Sequence, residues 1–371
     1  MNRSIIPFLL IVSIVFWSCN GQPHQSTVSQ KQLIAHQVDS LVSVYQANRE
    51  FSGAVLVADN SGVLINKEYG YTSLDSTHLI DQASVFEIAS ISKQFTAMLI
   101  MMLKEEGKLS YEDNILNYFP GLPYKDITIR HLLTHTSGIA ERPFFMWGAQ
   151  NMDRSKVYHN EIVLQYLEQQ KPPLSFNPGE KWEYSNVGYF LLAMILQETT
   201  GKHYITLLHE KILDPLGMTS TAIYSEQYKG NEMEQYVFGK LYDANSQNFR
   251  SSFGMSWSTD LLKWEQALTA DQLVNQRTLE EAFTAHQLTD NSSAEYGFGW
   301  YVREHFTING IDRGKRLDHN GLWPGYESSI VRYPASGKTI IVLANQAPSA
   351  KDKLLEEISA LLFPAKAEED H

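Results

Sequence analysis

The order of strand-like and helix-like segments along the chain constrains its fold more than any other feature. Two β-rich runs separated by turn residues 59–62 predict a hairpin from about Gly53 to Gly70, and three further strand-like runs follow Ser293. Helical periodicity dominates the segments between them. Because strands lie near both ends, we expect an α+β fold: an antiparallel β-sheet built from N- and C-terminal segments, flanked by helices, with an inserted all-helical lobe.

The same pattern predicts the organisation of the 371 residues. In chain order the expected segments are a signal peptide (1–18), a tether (19–31), one domain over 32–363 that divides into a sheet lobe (about 32–90 and 255–363) and a helical lobe (about 91–254), and a tail (364–371). Hydrophobic residues make up 43% of the chain, enough to bury a large core. A single cysteine allows no intramolecular disulfide, so the fold must rest on that core.

The N-terminal segment is typical of an exported protein. Arg3 precedes an apolar run from Ile5 to Trp17 that is too short to span a bilayer comfortably. Cys19 follows that run and the small Ser18, which resembles the lipobox of bacterial lipoproteins, although the two aromatic residues before Ser18 depart from it. We expect export and a membrane anchor through lipidated Cys19, facing the bacterial periplasm or the cell exterior; plain secretion or a short anchor is the alternative.

The charge balance argues against one class of partner. The chain has 30 basic and 42 acidic residues, a formal net charge of −12. The sequence contains no block of basic residues that could bind along a phosphate backbone. Nucleic acid is therefore not expected as a partner.

A serine and a lysine three residues apart open the apolar helix predicted after the hairpin. Ser90 and Lys93 would share one helix face, where free backbone N–H groups and the helix dipole favour negative charge near Ser90. A lysine amine with a lowered pKa can take the proton of a neighbouring hydroxyl. From this motif alone, a helix cap with a solvated lysine is the alternative. Ser92 would project to another face and is the poorer nucleophile.

Two further motifs follow in chain order. Tyr184 and Asn186 open a strongly apolar helix after a Pro-Gly turn. A phenol near a lysine cation can ionise more easily and act as a base, and an asparagine amide can orient a lysine and a carbonyl. The alternative is a core tyrosine followed by a helix cap. His319 and Gly321 lie just ahead of or within a strand, where glycine allows a close approach of backbone to ligand; alone they indicate little beyond a turn histidine.

Taken together, the three motifs resemble those of the serine β-lactamase and penicillin-binding protein superfamily, most closely its class C β-lactamase-like branch. That branch carries S-x-x-K, Y-x-N and [KHW]-x-G in this chain order. The matching positions here are Ser90-x-x-Lys93, Tyr184-x-Asn186 and His319-x-Gly321. The passages "IRHLLTHTSGI", "NPGEKWEYSN" and "DPLGM" extend the resemblance over about 32–363. It implies a β-lactamase/transpeptidase-like fold and a serine hydrolase that needs no cofactor and acts on a small-molecule or peptide substrate.

The resemblance also implies catalytic roles in a two-step acyl transfer. Ser90 attacks a carbonyl, Lys93 and Tyr184 share the proton transfers, and water then releases the acyl group. The backbone N–H groups of Ser90 and Leu322 form the oxyanion hole. Each such donor typically lowers the barrier by roughly 3–4 kcal/mol, so the placement of the Leu322 strand matters greatly.

The implied substrate-binding residues include one departure from the family pattern. Asn186 positions the substrate amide or ester, and His319 lines the strand-side wall with Gly321 and Leu322. Most classical β-lactamases of this branch carry lysine at the position of His319, and a mostly neutral histidine would make carboxylate binding weaker or pH-dependent. We therefore expect a D,D-peptidase-like or esterase-like hydrolase ahead of a β-lactamase. A non-catalytic ligand-binding relative is the alternative from another class.

One further pair of histidines could suggest a metal site. His131 and His135 lie four residues apart on a predicted short helix. No glutamate follows the first histidine, and the passage is among those that resemble the serine hydrolase family. We expect a structural turn role for the pair and no metal.

Overall fold

A computed structural model describes residues 29–72, 78–82, 84–151, 160–223, 255–256, 258–323 and 325–365. The expected signal peptide, Cys19, most of the tether and most of the tail lie outside these residues.

The helices are α1 (Gln30–Ala47), α2 (Lys93–Glu105), α3 (Ile129–Leu133), α4 (Glu141–Asn151), α5 (Glu161–Gln170), α6 (Asn186–Thr200), α7 (Tyr204–Leu208), α8 (Asp214–Leu216), α9 (Ser258–Ala267), α10 (Gln276–Ala282) and α11 (Lys351–Leu362). The strands are β1 (Gly53–Asp59), β2 (Gly62–Tyr69), β3 (Phe86–Glu87), β4 (Met255–Ser256), β5 (Tyr301–Arg303), β6 (Thr307–Ile308), β7 (Ile311–Asp312), β8 (Arg316–Trp323), β9 (Tyr326–Tyr333) and β10 (Lys338–Ala344).

Six of these strands form one antiparallel sheet in the order β2-β1-β10-β9-β8-β5. The N-terminal hairpin joins the C-terminal strands where β1 pairs with β10, from Gly53 opposite Ala344 to Ala58 opposite Thr339. This pairing confirms the predicted α+β fold, in which both ends of the chain build one sheet. The lobe boundaries stay predictions.

Two hydrophobic cores lie on the two faces of the sheet. Successive side chains of a strand point to opposite faces, so Ala54 and Leu56 of β1 enter one core and Val55 and Val57 the other. The larger core contains α2 and α6; the smaller one lies under α1 and α11, the flanking terminal helices. Both faces of β1 are therefore covered, which explains its continuous burial.

Helices α2 and α6 form the buried centre of the helical part. Residues 187–196 of α6 are all buried, as expected for a helix that is apolar on every side. In α2, Phe95 stacks on Trp264 with ring centroids 4.3 Å apart. Lys93 and Asn186 are the first residues of these two helices, so the packed core holds both motif residues in place. Across the described ranges, none of the helices is long and apolar enough to cross a bilayer.

Candidate active site

Ser90 lies in a strained 3₁₀ turn rather than inside the predicted α-helix. The turn, Ala89–Ser92, leads directly into α2. Ala89 has a φ of 45°, a left-handed conformation that costs a non-glycine residue about 1–3 kcal/mol and persists where the surrounding structure enforces it. The carbonyl oxygen of Ile88, just before the turn, accepts a hydrogen bond from the Ser328 hydroxyl at 3.0 Å. The turn is thereby fixed to β9.

Strand β8 approaches this turn at Gly321. A Cβ atom added at Gly321 would overlap the carbonyl oxygen of Ile88 and the hydroxyl of Ser328, so the approach requires glycine. The side chain of the next residue, Leu322, is 69% exposed. The oxyanion-hole role of the Leu322 backbone N–H stays a prediction.

Lys93 Nζ is the polar centre of the site. It donates hydrogen bonds to Ser90 Oγ at 3.3 Å and to Asn186 Oδ1 at 2.6 Å, and it lies 4.8 Å from the centroid of the Tyr184 ring. The residue is only 4% exposed. Burial lowers the pKa of Lys93 to about 7, although the Glu141 carboxylate raises it. Near neutral pH much of Lys93 is uncharged, so Nζ can accept the Ser90 proton.

Tyr184 differs from its predicted behaviour. We expected its phenol to ionise more easily beside a lysine cation. Burial instead raises the pKa of Tyr184 well above its usual value, while the Ser90 hydroxyl acts in the opposite direction. The prediction of an easily ionised phenol is therefore wrong for the free enzyme, and at neutral pH the Tyr184 phenol is protonated.

His135 forms part of the aromatic wall behind Tyr184. It lies two residues beyond α3 with a φ of 58°, and its Nδ1 accepts the backbone N–H of Ser185 at 3.1 Å. The His135 and Tyr184 rings are 4.4 Å apart. Burial and the nearby Lys93 lower the pKa of His135 well below its usual value, so the ring is neutral. His131 instead accepts a backbone N–H at the start of α3, so the two histidines have separate structural contacts.

His319 is buried at the edge of the site. Its Nδ1 donates to the Asn320 carbonyl oxygen at 2.7 Å, so its Nε2 accepts from the Tyr296 hydroxyl at 2.9 Å. Burial, and then the proximity of Lys93, lower the pKa of His319 to about 3. The ring is therefore neutral throughout the physiological range. Of the two predicted consequences, weaker carboxylate binding fits this state better than a pH dependence near neutrality.

Three residues of the site were not predicted from the sequence. Glu141 accepts two hydrogen bonds from Asn186, Tyr296 holds His319, and the Tyr189 ring centroid lies 5.4 Å from the lysine Nζ. Tyr189 follows Asn186 by three residues, so helical spacing could have identified it. Glu141 and Tyr296 reach the site through tertiary packing, which leaves no spacing signal in the sequence.

Comparisons with known proteins place this geometry in a family. The sequence matches the Beta-lactamase family over residues 38–363. It is 32% identical over 335 residues to penicillin-binding protein 4* of Bacillus subtilis (strain 168), with 85% of this chain and 73% of that protein covered.

Solved structures share the fold. The octameric penicillin-binding protein homologue from Pyrococcus abyssi superposes with a TM-score of 0.71 at 23% identity, covering 88% of this chain and 77% of that chain. The D-amino acid amidase from Ochrobactrum anthropi SV3 superposes with a TM-score of 0.69 at 18% identity, covering 89% and 98%. At these identities the likeness concerns the fold.

The three motifs that lie far apart in the sequence meet at one site. Lys93 bonds Ser90 and Asn186, Tyr184 packs on the lysine, and Gly321 packs on the turn that carries the serine. The family match spans the segments that supply all of them. The chain belongs to the Beta-lactamase family and is a serine acyl-transfer hydrolase of that family.

Proposed function

We propose that the protein is a D,D-peptidase-like hydrolase that cleaves a peptide amide through an acyl-enzyme at Ser90. The observation that carries the proposal is the contact of Ser90 Oγ with a fully buried lysine whose pKa lies at about 7. A neutral amine at hydrogen-bond distance is what a serine nucleophile needs. The 32% identity to a penicillin-binding protein supports the choice of peptide-like substrates.

The first step forms the acyl-enzyme. Lys93 Nζ takes the proton of Ser90 as Oγ bonds to the substrate carbonyl carbon, and the resulting oxyanion lies against the N–H groups of Ser90 and Leu322. The bond to the leaving nitrogen then breaks, and Tyr184 donates its phenolic proton to that nitrogen. The phenol is restored by the proton held on Lys93. The high pKa of Tyr184 supports this role, because the phenol is protonated when the leaving group needs a proton.

The second step releases the acyl group. Water attacks the acyl carbon and gives a proton to neutral Lys93, the bond to Ser90 Oγ breaks, and Oγ takes the proton back. Asn186 Oδ1 holds the lysine throughout. An ester substrate differs from an amide only in having an oxygen rather than a nitrogen as its leaving atom, so esterase activity would use the same residues.

Neutral His319 disfavours efficient β-lactam turnover. In this family position a lysine would offer a permanent cation to the carboxylate of a β-lactam. Burial keeps the pKa of His319 at about 3, so His319 offers none near neutral pH. We propose that a penicillin acylates Ser90 and is released slowly.

The experiment is intact-mass measurement of the wild type and Ser90→Ala after incubation with a penicillin, beside turnover of a D-Ala-D-Ala peptide, p-nitrophenyl esters and a chromogenic cephalosporin. We expect one penicilloyl adduct on the wild type, none on Ser90→Ala, and release of D-alanine by the wild type alone. Rapid cephalosporin hydrolysis without peptide cleavage would assign a β-lactamase instead. No adduct and no turnover of any substrate would overturn the proposal.

We also propose that the protein is exported and held at the membrane by a lipid on Cys19. The apolar run from Ile5 to Trp17 and the cysteine directly after Ser18 support this. Expression of Cys19→Ala in a bacterial host is expected to release the hydrolase from the membrane fraction. An unchanged membrane fraction would contradict the lipid anchor.

A further inference from the structure

Within the described part of the chain, Glu141 accepts two hydrogen bonds, both from one residue of the site. Its Oε2 accepts the backbone N–H of Asn186 at 2.7 Å, and its Oε1 accepts the side-chain Nδ2 of the same residue at 2.9 Å. We infer that Glu141 is a positioning residue, which fixes the side chain of Asn186 and, through it, the amine of Lys93. The inference rests on the proposed acyl transfer at Ser90 and deepens it.

The carboxylate decides which way the Asn186 amide faces. An asparagine amide has an acceptor oxygen and a donor nitrogen. With Nδ2 held by Glu141, the oxygen Oδ1 faces Lys93 and accepts from Nζ at 2.6 Å. A flipped amide would place a donor against the lysine and an oxygen against the carboxylate, and both contacts would be repulsive. Glu141 therefore selects the orientation that holds the lysine beside Ser90.

The same carboxylate caps the helix that carries Asn186. Helix α6 begins at Asn186, and its N-cap residue, Ser185, makes no side-chain capping bond. Glu141, itself the first residue of α4, satisfies the N–H of Asn186 in its place. A negative group at a helix N-terminus is favourable, and hydrogen bonds to a carboxylate are stronger than neutral ones. This hydrogen bond connects the N-terminus of α4 to the N-terminus of α6, beside the reactive residues.

Glu141 also opposes the desolvation of Lys93. The titratable groups that face the lysine from the elements around it are the carboxylate of Glu141, the rings of Tyr184 and Tyr189, and the neutral imidazoles of His135 and His319. Burial lowers the pKa of Lys93, and Glu141 is the group that raises it. Removing this charge is expected to lower the pKa further. The neutral amine would then persist to lower pH but would be a weaker base.

The test compares Glu141→Gln, Glu141→Asp and the control Glu161→Gln. Glu161 also begins a helix of the same region, α5, and is exposed, so the control removes one negative charge at a helix start away from the site. The readout is the rate at which a fluorophosphonate labels Ser90 as a function of pH, beside kcat and KM for the best substrate of the full-length protein.

Glu141→Gln is expected to move the acid limb of the labelling profile to lower pH by about one unit, and to lower kcat by roughly 10- to 100-fold, while Glu161→Gln matches the wild type. Glu141→Asp keeps the charge but is too short to hold both donors. It is expected to keep the wild-type limb and lose rate. A Glu141→Gln enzyme with the wild-type limb, whether slower or not, would overturn the inference, as would a Glu141→Asp enzyme of wild-type rate.

A second measurement separates this inference from the proposed function. Lysines labelled with ¹³C at Cε are titrated by NMR, and the Lys93 resonance is assigned with Lys93→Arg. The wild-type midpoint is expected near 7, with a lower midpoint in Glu141→Gln. An unmoved midpoint would overturn the role of Glu141 even in an active hydrolase. A shifted midpoint in a protein whose Ser90 is never labelled would support Glu141 and overturn the proposed function alone.

Discussion

Among the described residues, two buried lysines each donate a hydrogen bond to a serine, and one of these two pairs has the geometry of a nucleophile. Lys93 opens α2 and donates to Ser90 Oγ at 3.3 Å, and Lys351 opens α11 and donates to Ser329 Oγ at 2.8 Å. The two lysines are 4% and 3% exposed. Strand β9 separates the pairs, because Ser328 bonds the Ile88 carbonyl beside Ser90 and the next residue, Ser329, faces Lys351 on the other side of the sheet.

The partners of the two lysines differ. Lys351 Nζ also contacts the carboxylate of Asp352, and Ser329 is fully buried and donates its own hydrogen to Asn320 Oδ1 at 2.6 Å. Lys93 instead donates to a neutral amide, and Ser90 lies half-buried in its turn. A serine–lysine contact becomes reactive when the lysine donates to neutral groups and the serine can be reached.

The largest predicted difference is between the effects of replacing the two serines by alanine. Ser90→Ala should lower kcat/KM by roughly 10⁴-fold or more, because the nucleophile is lost. Ser329→Ala removes a hydrogen bond from a buried lysine and should lower the free energy of unfolding by about 1–2 kcal/mol while kcat/KM stays within a fewfold of the wild type. Steady-state kinetics and urea unfolding measure the two quantities. An inactive but folded Ser329→Ala enzyme would break the contrast.

The two lysines are expected to change stability in opposite directions. Lys93→Met should lower activity by about 10³-fold yet raise the free energy of unfolding at pH 7 by about 1–3 kcal/mol, since a desolvated amine is replaced by an apolar side chain. Lys351→Met should lower it by about 1–3 kcal/mol, because Ser329 and Asp352 lose their donor, and should keep activity.

The pH dependence of unfolding tests the protonation of Lys93. The pKa of Lys93 is about 7 in the folded state against 10.5 as its ordinary value. The unfolded chain therefore binds the proton more tightly, and Lys93 makes wild-type stability rise with pH between about 7 and 10.5. The Lys93→Met protein lacks this contribution. Its gain in free energy of unfolding over the wild type is therefore expected to be largest near pH 7 and to disappear toward pH 10.5. A Lys93→Met protein that is less stable than the wild type at pH 7 would contradict this account of the site.

The smallest effect is expected at His319. Its pKa of about 3 keeps it neutral from pH 5 to 9, so His319→Gln should leave the acid limb of kcat/KM unchanged and lower its maximum by less than about tenfold. A glutamine amide can still accept from Tyr296 and donate to the Asn320 carbonyl. Loss of the acid limb in this variant would assign it to the histidine and remove the main support for a neutral lysine.

Most of the fold could be predicted from the sequence, because hydrophobic periodicity and turn residues record it locally. The hairpin from Gly53 to Gly70, three late strands and the antiparallel sheet were correctly predicted, whereas β6, β7 and β8 were not among the predicted strand runs. The helix start at Ser90 was placed differently, since nothing local in "EIASISK" signals the left-handed Ala89 and the 3₁₀ turn. That turn depends on β8 and β9, which lie more than 200 residues later.

Within the site, the identities of the residues were easier to predict than their protonation states. The resemblance named Ser90, Lys93 and Tyr184, and the structure brings all three together. The predicted direction of the Tyr184 pKa shift was wrong, because burial raises this pKa by more than the Ser90 hydroxyl lowers it. Glu141 could not be found, since its hydrogen bonds to Asn186 cross 45 residues of sequence. Protonation states depend on burial, which a single sequence does not record.

The most direct measurement is the rate of fluorophosphonate labelling at Ser90 as a function of pH, with the labelled residue located by mass spectrometry. Labelling of the wild type is expected to be confined to Ser90, to level off above a midpoint of about pH 7, and to fall about tenfold per pH unit below it, as the Lys93 amine becomes protonated. Lys93→Met should label slowly and without that midpoint. Wild-type labelling that is independent of pH, or that falls on a residue other than Ser90, would contradict the claim that Ser90 and a neutral Lys93 form the reactive pair.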